Sequence, residues 1–204
     1  MMNSKKLQRS YFQNTDVVFL AKDLLGKVLC THKNGELTAG IITETEAYFG
    51  AEDKASHAYG YRRTARTAAM YQPGGIAYIY LCYGIHYMLN VIVSENDDPK
   101  SVLIRSIQPL KGIAFIEERR KRSASEPSVS SGPGSLSKAL GIDLSFNKKT
   151  YTGNEIWIED YGLKYRDDQI ISAPRIGVSY AKEHALLPLR FYVKDNRFVS
   201  KKLK

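Results

Sequence analysis

The residues best suited to chemistry are two carboxylates, Glu44 and Glu46, at the start of the stretch ETEAYFGAEDKASHAYG. They follow Ile41, Ile42 and Thr43, so they close what reads as a half-buried strand, a setting in which acids are depleted. Spaced two apart, they share one strand face. Burying a carboxylate is costly unless it is paired. Two readings are therefore open: both acids face water, or one is held in a pocket, where a carboxylate can deprotonate an attacking water and offset developing positive charge.

Metal chemistry is poorly supplied. The four histidines, His32, His57, His86 and His184, form no i, i+4 pair, and Cys30 and Cys82 form no paired motif, so neither zinc nor any cofactor is expected. Asp97 with Asp98 and Asp167 with Asp168 read as solvated turn residues rather than a magnesium site. Two cysteines are too few for a disulfide framework and fit a reducing compartment.

Aromatic residues are the other unusual resource. Of 14 tyrosines, four fall in AYIYLCYGIHYMLN, Ala77 to Asn90. On a strand Tyr78 and Tyr80 share one face and Ile79 and Leu81 the other. Tyr83, at the turn, is either a loose surface residue or a probe aimed at a partner; in a basic protein such a ring can wedge between base steps.

The protein is basic: 30 Lys and Arg against 21 Asp and Glu give a formal charge of +9 over 204 residues. The charge gathers at Arg62, Arg63 and Arg66, at Arg119 to Arg122, and at Lys201, Lys202 and Lys204. A polyanionic partner follows, nucleic acid before membrane. No apolar run approaches the roughly 20 residues of a spanning helix, and MMNSKKLQRS lacks the apolar segment of a secretory signal. An intracellular, cytoplasmic protein is expected.

Several elements must position these residues. A helix is predicted from Asp16 to Leu25, capped by Asp16 or Thr15 and stopped by Gly26. A strand follows it, and LTAGIITETEAYF is the next. The stretch after Phe49 reads as a loop with a short helix, ended by Pro73, Gly74 and Gly75. Strands Ile76 to Cys82 and Ile85 to Ser94 hinge at Tyr83 and Gly84; SVLIRSIQP, EIWIED and LRFYVKD are further strands. GIAFIEERRKR is a helix with a basic last turn, and SLSKALGI a short one capped by Ser135. Residues 121–135 include SASEPSVSSGPGS, which reads as a mobile loop within one domain spanning 1–204, with a basic C-terminal tail. The predicted class is α+β: a curved, mainly antiparallel sheet surrounded by helices, with a protruding β-hairpin.

Five blocks in order, ETEAYFGAEDKASH, PGGIAYIYLCYGIHYMLNV, VLIRSIQPL, SGPGSLSKALGI and PRIGVSYAKEHALLPLRFYV, resemble the alkyladenine (3-methyladenine) DNA glycosylase family. The resemblance runs from the region of Leu24 to Lys27 to about Val193. It implies a single α/β domain without metal that flips alkylated purines out of duplex DNA and hydrolyses the N-glycosidic bond, a monofunctional enzyme acting as a monomer. By the resemblance Glu46 activates water beside Arg105; Tyr48, His57 and Tyr80 grip the base and Asn90 excludes the amino group of guanine; Tyr83 fills the vacated space, with Ile85 and Leu103 lining the groove contact. Arg62, Arg63 and Arg66, with Ser131, Gly132 and Lys138, are the candidate phosphate contacts. His184 departs from the aromatic that relatives often carry there, Ile85 from a methionine, and Thr64 to Thr67 is a variable turn, which bears on substrate breadth. A catalytically silent DNA- or RNA-binding module on the same scaffold is the alternative.

Overall fold

The computed structural model describes residues 4–203. Asp16 caps the first long helix as predicted, its Oδ1 accepting from the N–H groups of Val18 at 3.0 Å and Phe19 at 2.9 Å. In chain order the elements are β1 (Lys5–Lys6), α1 (Arg9–Phe12), α2 (Val17–Asp23), β2 (Val28–Lys33), β3 (Glu36–Tyr48), β4 (Ala77–Cys82), β5 (His86–Val93), β6 (Lys100–Lys111), α3 (Ile113–Arg120), α4 (Pro133–Ala139), β7 (Ile156–Asp160), β8 (Ile170–Ala173) and β9 (Arg190–Val193). One antiparallel sheet runs β1-β7-β2-β3-β6-β5-β4, and β9 joins it by pairing with both β3 and β8. The core, including Leu20, Leu24, Ile42, Ile104, Ile107 and Leu136, lies between this sheet and the helices packed on it. The fold is α+β, as predicted.

Strand β3 organises the site because it changes partner midway. Its first half pairs with β2 through Glu36 to Ile41; Glu44 to Glu46 pair with β9 instead. Along its other edge β6 stays paired, with register shifts on both sides of Glu44. Thr43 is the extra residue on β3, between the pairs Ile42↔Ile107 and Glu44↔Ser106; Arg105 is the extra residue on β6, between Ser106 and Ile104. Bulges bend a strand and re-aim side chains. The consecutive residues Arg105 and Ser106 consequently both reach Glu44. Gly40 permits the close approach of β6: a Cβ there would lie 2.3 Å from Ile107 and 2.9 Å from the Gln108 carbonyl oxygen.

The β4–β5 hairpin closes through the three residues Tyr83 (φ 51°), Gly84 (φ 72°) and Ile85, with the Ile85 N–H donating to the Cys82 carbonyl at 3.2 Å; positive φ at both central residues of that turn suits the twist of the flanking strands. Its tip stands clear of the body, with Tyr83 87% and Ile85 71% exposed.

Several local expectations are corrected. The segment after Phe49 holds three 3₁₀ turns, Gly50–Glu52, Tyr59–Tyr61 and Ala68–Tyr71, rather than a helix. Residues 121–135 are not a free loop: Val129 and Ser130 are fully buried, the Ser130 hydroxyl donates to the Ile107 carbonyl at 2.6 Å, and Arg120 Nε donates to the Val129 carbonyl at 2.7 Å. Anchoring through hydroxyls and carbonyls leaves no apolar period to read. Helix α4 starts at Pro133 after Gly132, so Ser135 does not cap it; the Ser135 hydroxyl accepts from Arg120 instead. The C-terminal lysines Lys201 and Lys202 are exposed, yet the chain there is pinned, with the Lys201 carbonyl accepting from Arg190 Nη1 at 2.7 Å; Lys204 lies outside the described residues.

Candidate active site

Cross-strand register lines up the site. Tyr78 on β4 faces Asn90 on β5, Asn90 faces Leu103 on β6, Leu103 faces Glu46 on β3, and Glu46 faces Arg190 on β9. Because strand side chains alternate, Tyr80, Met88 and Tyr48, each two residues along, join the same face. A cavity of about 450 Å³ opens over this face, lined by Tyr48, His57, Tyr80, Asn90, Leu103 and Arg105 among others, with Tyr83 at its edge. That size lies in the range of small-molecule sites.

Both carboxylates are fully buried, so neither faces bulk water. Glu44 accepts from Arg105 Nε (3.0 Å), Arg190 Nη1 (2.9 Å), the Ser106 hydroxyl (2.9 Å) and the Ser200 N–H (2.8 Å). Burial alone would raise its pKa; the Arg105 charge and the Ser200 and Ser106 hydrogen bonds outweigh it and hold the group below the usual carboxylate range. Glu46 Oε1 accepts from the Ile176 N–H at 2.8 Å and pairs with Arg105 Nη1 at 3.1 Å; its Oε2 accepts from the Tyr48 hydroxyl at 2.9 Å. A carboxylate offers about four acceptor positions, so one on Glu46 is left for a water. Glu46 is not itself part of the cavity lining; it sits directly behind Tyr48 and Arg105, which are.

Arg105 bridges the two acids. Burial would lower its pKa, but Glu46 and Glu44 raise it, so it stays charged. Burial and the neighbouring Glu46 charge drive the Tyr48 phenol well above its ordinary value, keeping it a neutral donor. His57 bonds the Tyr78 hydroxyl through Nδ1 at 2.8 Å and stands edge-on to Tyr80, ring centroids 4.6 Å apart. Burial, aided by the Arg66 charge, pushes it down to about 4, so the imidazole is neutral at physiological pH. The Asn90 amide donates to the Tyr78 carbonyl at 3.2 Å.

The remaining sequence-predicted residues are distributed unevenly. Ile85 is at the exposed hairpin tip, whereas Leu103 is buried on the cavity floor because its strand lies mid-sheet. Arg63 is turned away, paired with Asp97 at 3.0 Å and lying 3.8 Å from the centroid of the Tyr71 ring. Arg66 crosses the Tyr80 ring at 4.9 Å, and Arg62 lines an adjoining groove. The Gly132 N–H is already donated to Ser106, while Lys138 lies exposed in a different depression, beside Ile85.

One pair escaped sequence reasoning. Arg175 donates to both oxygens of Asp53 (2.5 and 2.9 Å) and to the Ala47 carbonyl (2.9 Å), all buried, and its guanidinium lies 4.6 Å from the centroid of the Tyr48 ring. It thereby backs the ring that faces the cavity. Its presence in the PRIG block was the only signal, and spacing could not pair it with an acid 122 residues away. Among the described residues no group of three or more His, Cys, Asp or Glu is arranged to hold a metal ion, and no helix is long and apolar enough to cross a membrane.

The family model described as Methylpurine-DNA glycosylase (MPG) matches residues 11–197. Relatives named "Putative 3-methyladenine DNA glycosylase" include one from Clostridium perfringens, 48% identical and covering 94% of this chain and 97% of its own. Another, from Chlamydia abortus, is 46% identical over 91% and 96%. A third, from Natranaerobius thermophilus, is 43% identical over 96% and 98%.

Proposed function

The chain belongs to the methylpurine-DNA glycosylase family, and from that premise we propose that it excises alkylated purines of the 3-methyladenine and 7-methylguanine type from duplex DNA, using a Glu46-activated water and leaving an abasic site. The observation that carries this is the grouping of Tyr48, His57 and Tyr80 around one cavity, with a buried, Arg105-paired carboxylate directly behind it.

A base within the stack is unreachable, so the nucleotide must rotate outward, at a cost of a few kcal/mol. Tyr83, the most protruding ring of the hairpin, fills the gap, with Ile85 beside it in the groove. The extruded purine enters between Tyr48 and Tyr80. A ring made cationic by methylation is favoured over a neutral purine by about 1–2 kcal/mol through the aromatic faces. Asn90, held by the Tyr78 carbonyl, obstructs the amino group of guanine. The C1′–N bond breaks with its electron pair moving to the purine, which neutralises the leaving group. Glu46 offsets charge at C1′ and takes a proton from the water whose oxygen bonds to C1′. Arg105, fixed by Glu44, orients that water. Among the described residues no lysine lines the cavity, which supports hydrolysis without a Schiff-base lyase step. Arg62, Arg66 and Lys138 supply phosphate contacts to a monomer acting inside the cell.

The complete burial of Glu46 favours the rival reading, a binding module that does not cut. Release of free 3-methyladenine from alkylated duplex DNA decides between them. The wild type should release it in single-turnover assays; Glu46→Gln should bind the same DNA and cut about 10²–10⁴ times more slowly. Absence of release by the wild type, or an unimpaired variant, would refute the proposal.

A further inference from the structure

On the far side of His57 and Arg66 from the cavity lies a second, open groove of about 900 Å³. Ser56, His57, Arg66 and Tyr180 line both spaces, so the groove continues from the cavity. Its other walls include Lys54, Tyr59 and Arg62. The backbone beneath is built rather than loose: the Arg62 carbonyl accepts from the Thr67 hydroxyl at 2.9 Å and the Tyr71 hydroxyl at 3.1 Å. Lys54 pairs with Glu183, but among the described residues no carboxylate lies within ion-pair distance of Arg62 or Arg66.

The two tyrosines are the informative residues. Tyr59 is 48% and Tyr180 63% exposed, and the excision mechanism uses neither. A duplex presents only its sugar-phosphate backbone to such a wall, since its bases are stacked inside; arginines suffice for that contact and rings gain little. Exposed rings in a groove that also carries guanidinium groups gain when bases are unpaired and free to stack on them. We propose that this groove binds single-stranded DNA running on from the nucleotide in the cavity, with a base stacked on Tyr59 or Tyr180 and phosphates on Arg62 and Arg66. The proposal goes beyond excision from duplex DNA and extends the protein's reach to unpaired or gapped regions.

The test is fluorescence anisotropy of the full chain with a short oligodeoxythymidylate, an oligoribouridylate and an undamaged duplex, alongside duplex excision. Tyr59→Ala should weaken binding of the oligodeoxythymidylate about tenfold and leave its salt slope unchanged. Tyr59→Phe should bind like the wild type, and duplex affinity and excision should stay within about twofold in both. Equal affinity of Tyr59→Ala and wild type for the single strand, a parallel loss on duplex, or tighter binding of the oligoribouridylate would each overturn the assignment. Because excision is read separately, failure of the groove and failure of the glycosylase reading give different results.

Discussion

Glu44 and Glu46 are the same side chain two positions apart, and their neighbours divide the work. Four donors saturate Glu44, which therefore serves to fix Arg105 and the C-terminal segment. Glu46 keeps an acceptor position free beside Tyr48. His57 shows how burial sets a protonation state: its folded value of about 4 is below the unfolded value of about 6.5. Above pH 6.5 the imidazole is neutral folded or unfolded. Between 6.5 and 4 the unfolded chain binds a proton that the folded one refuses, so stability is lost as pH falls. Urea titrations should show this decline, and His57→Gln should flatten it by up to about 3 kcal/mol; an unchanged profile would disprove the assignment.

At the scale of elements, the site depends on two bulges and one buried clamp. The bulges at Thr43 and Arg105 let β3 leave β2 for β9 while bringing Arg105 between the acids. The clamp is Asp53–Arg175, which ties the segment following β3 to the segment following β8 and supports the Tyr48 ring from behind. Removing one member of a buried pair strands the other charge. Arg175→Ala should therefore cost about 3–5 kcal/mol in denaturant unfolding. A loss under 1 kcal/mol would mean that water reaches Asp53 and the clamp is not closed.

For the whole molecule, charge and shape act together. The chain carries a formal charge of +9, and its cavity opens beside a protruding hairpin, a combination that suits approach to a polyanion. If about six phosphates are neutralised on binding, the logarithm of the association constant should fall with the logarithm of salt concentration at a slope near −5. Anisotropy on duplex DNA across salt concentrations measures it directly. A much shallower slope would mean that fewer cations face the DNA, as the pairing of Arg63 with Asp97 already does for one of them.

What the sequence determined by itself is local or compositional. The Asp16 cap, the Tyr83–Gly84 hairpin, the strand bearing Glu44 and Glu46, and the excess of basic charge depend on residues within a few positions of one another, or on counting. The tertiary structure alone decided which charges are buried and with whom. Glu44 meets Ser200 across 156 residues and Asp53 meets Arg175 across 122, and neither pairing leaves a periodic trace. The same holds for the anchored segment 121–135, held by hydroxyls and carbonyls, and for the short strand β8, whose partner β9 lies beyond an intervening loop. A charged side chain at a strand end is compatible with solvent or with burial until its counter-charges arrive from elsewhere in the chain, and that arrival is a property of the fold.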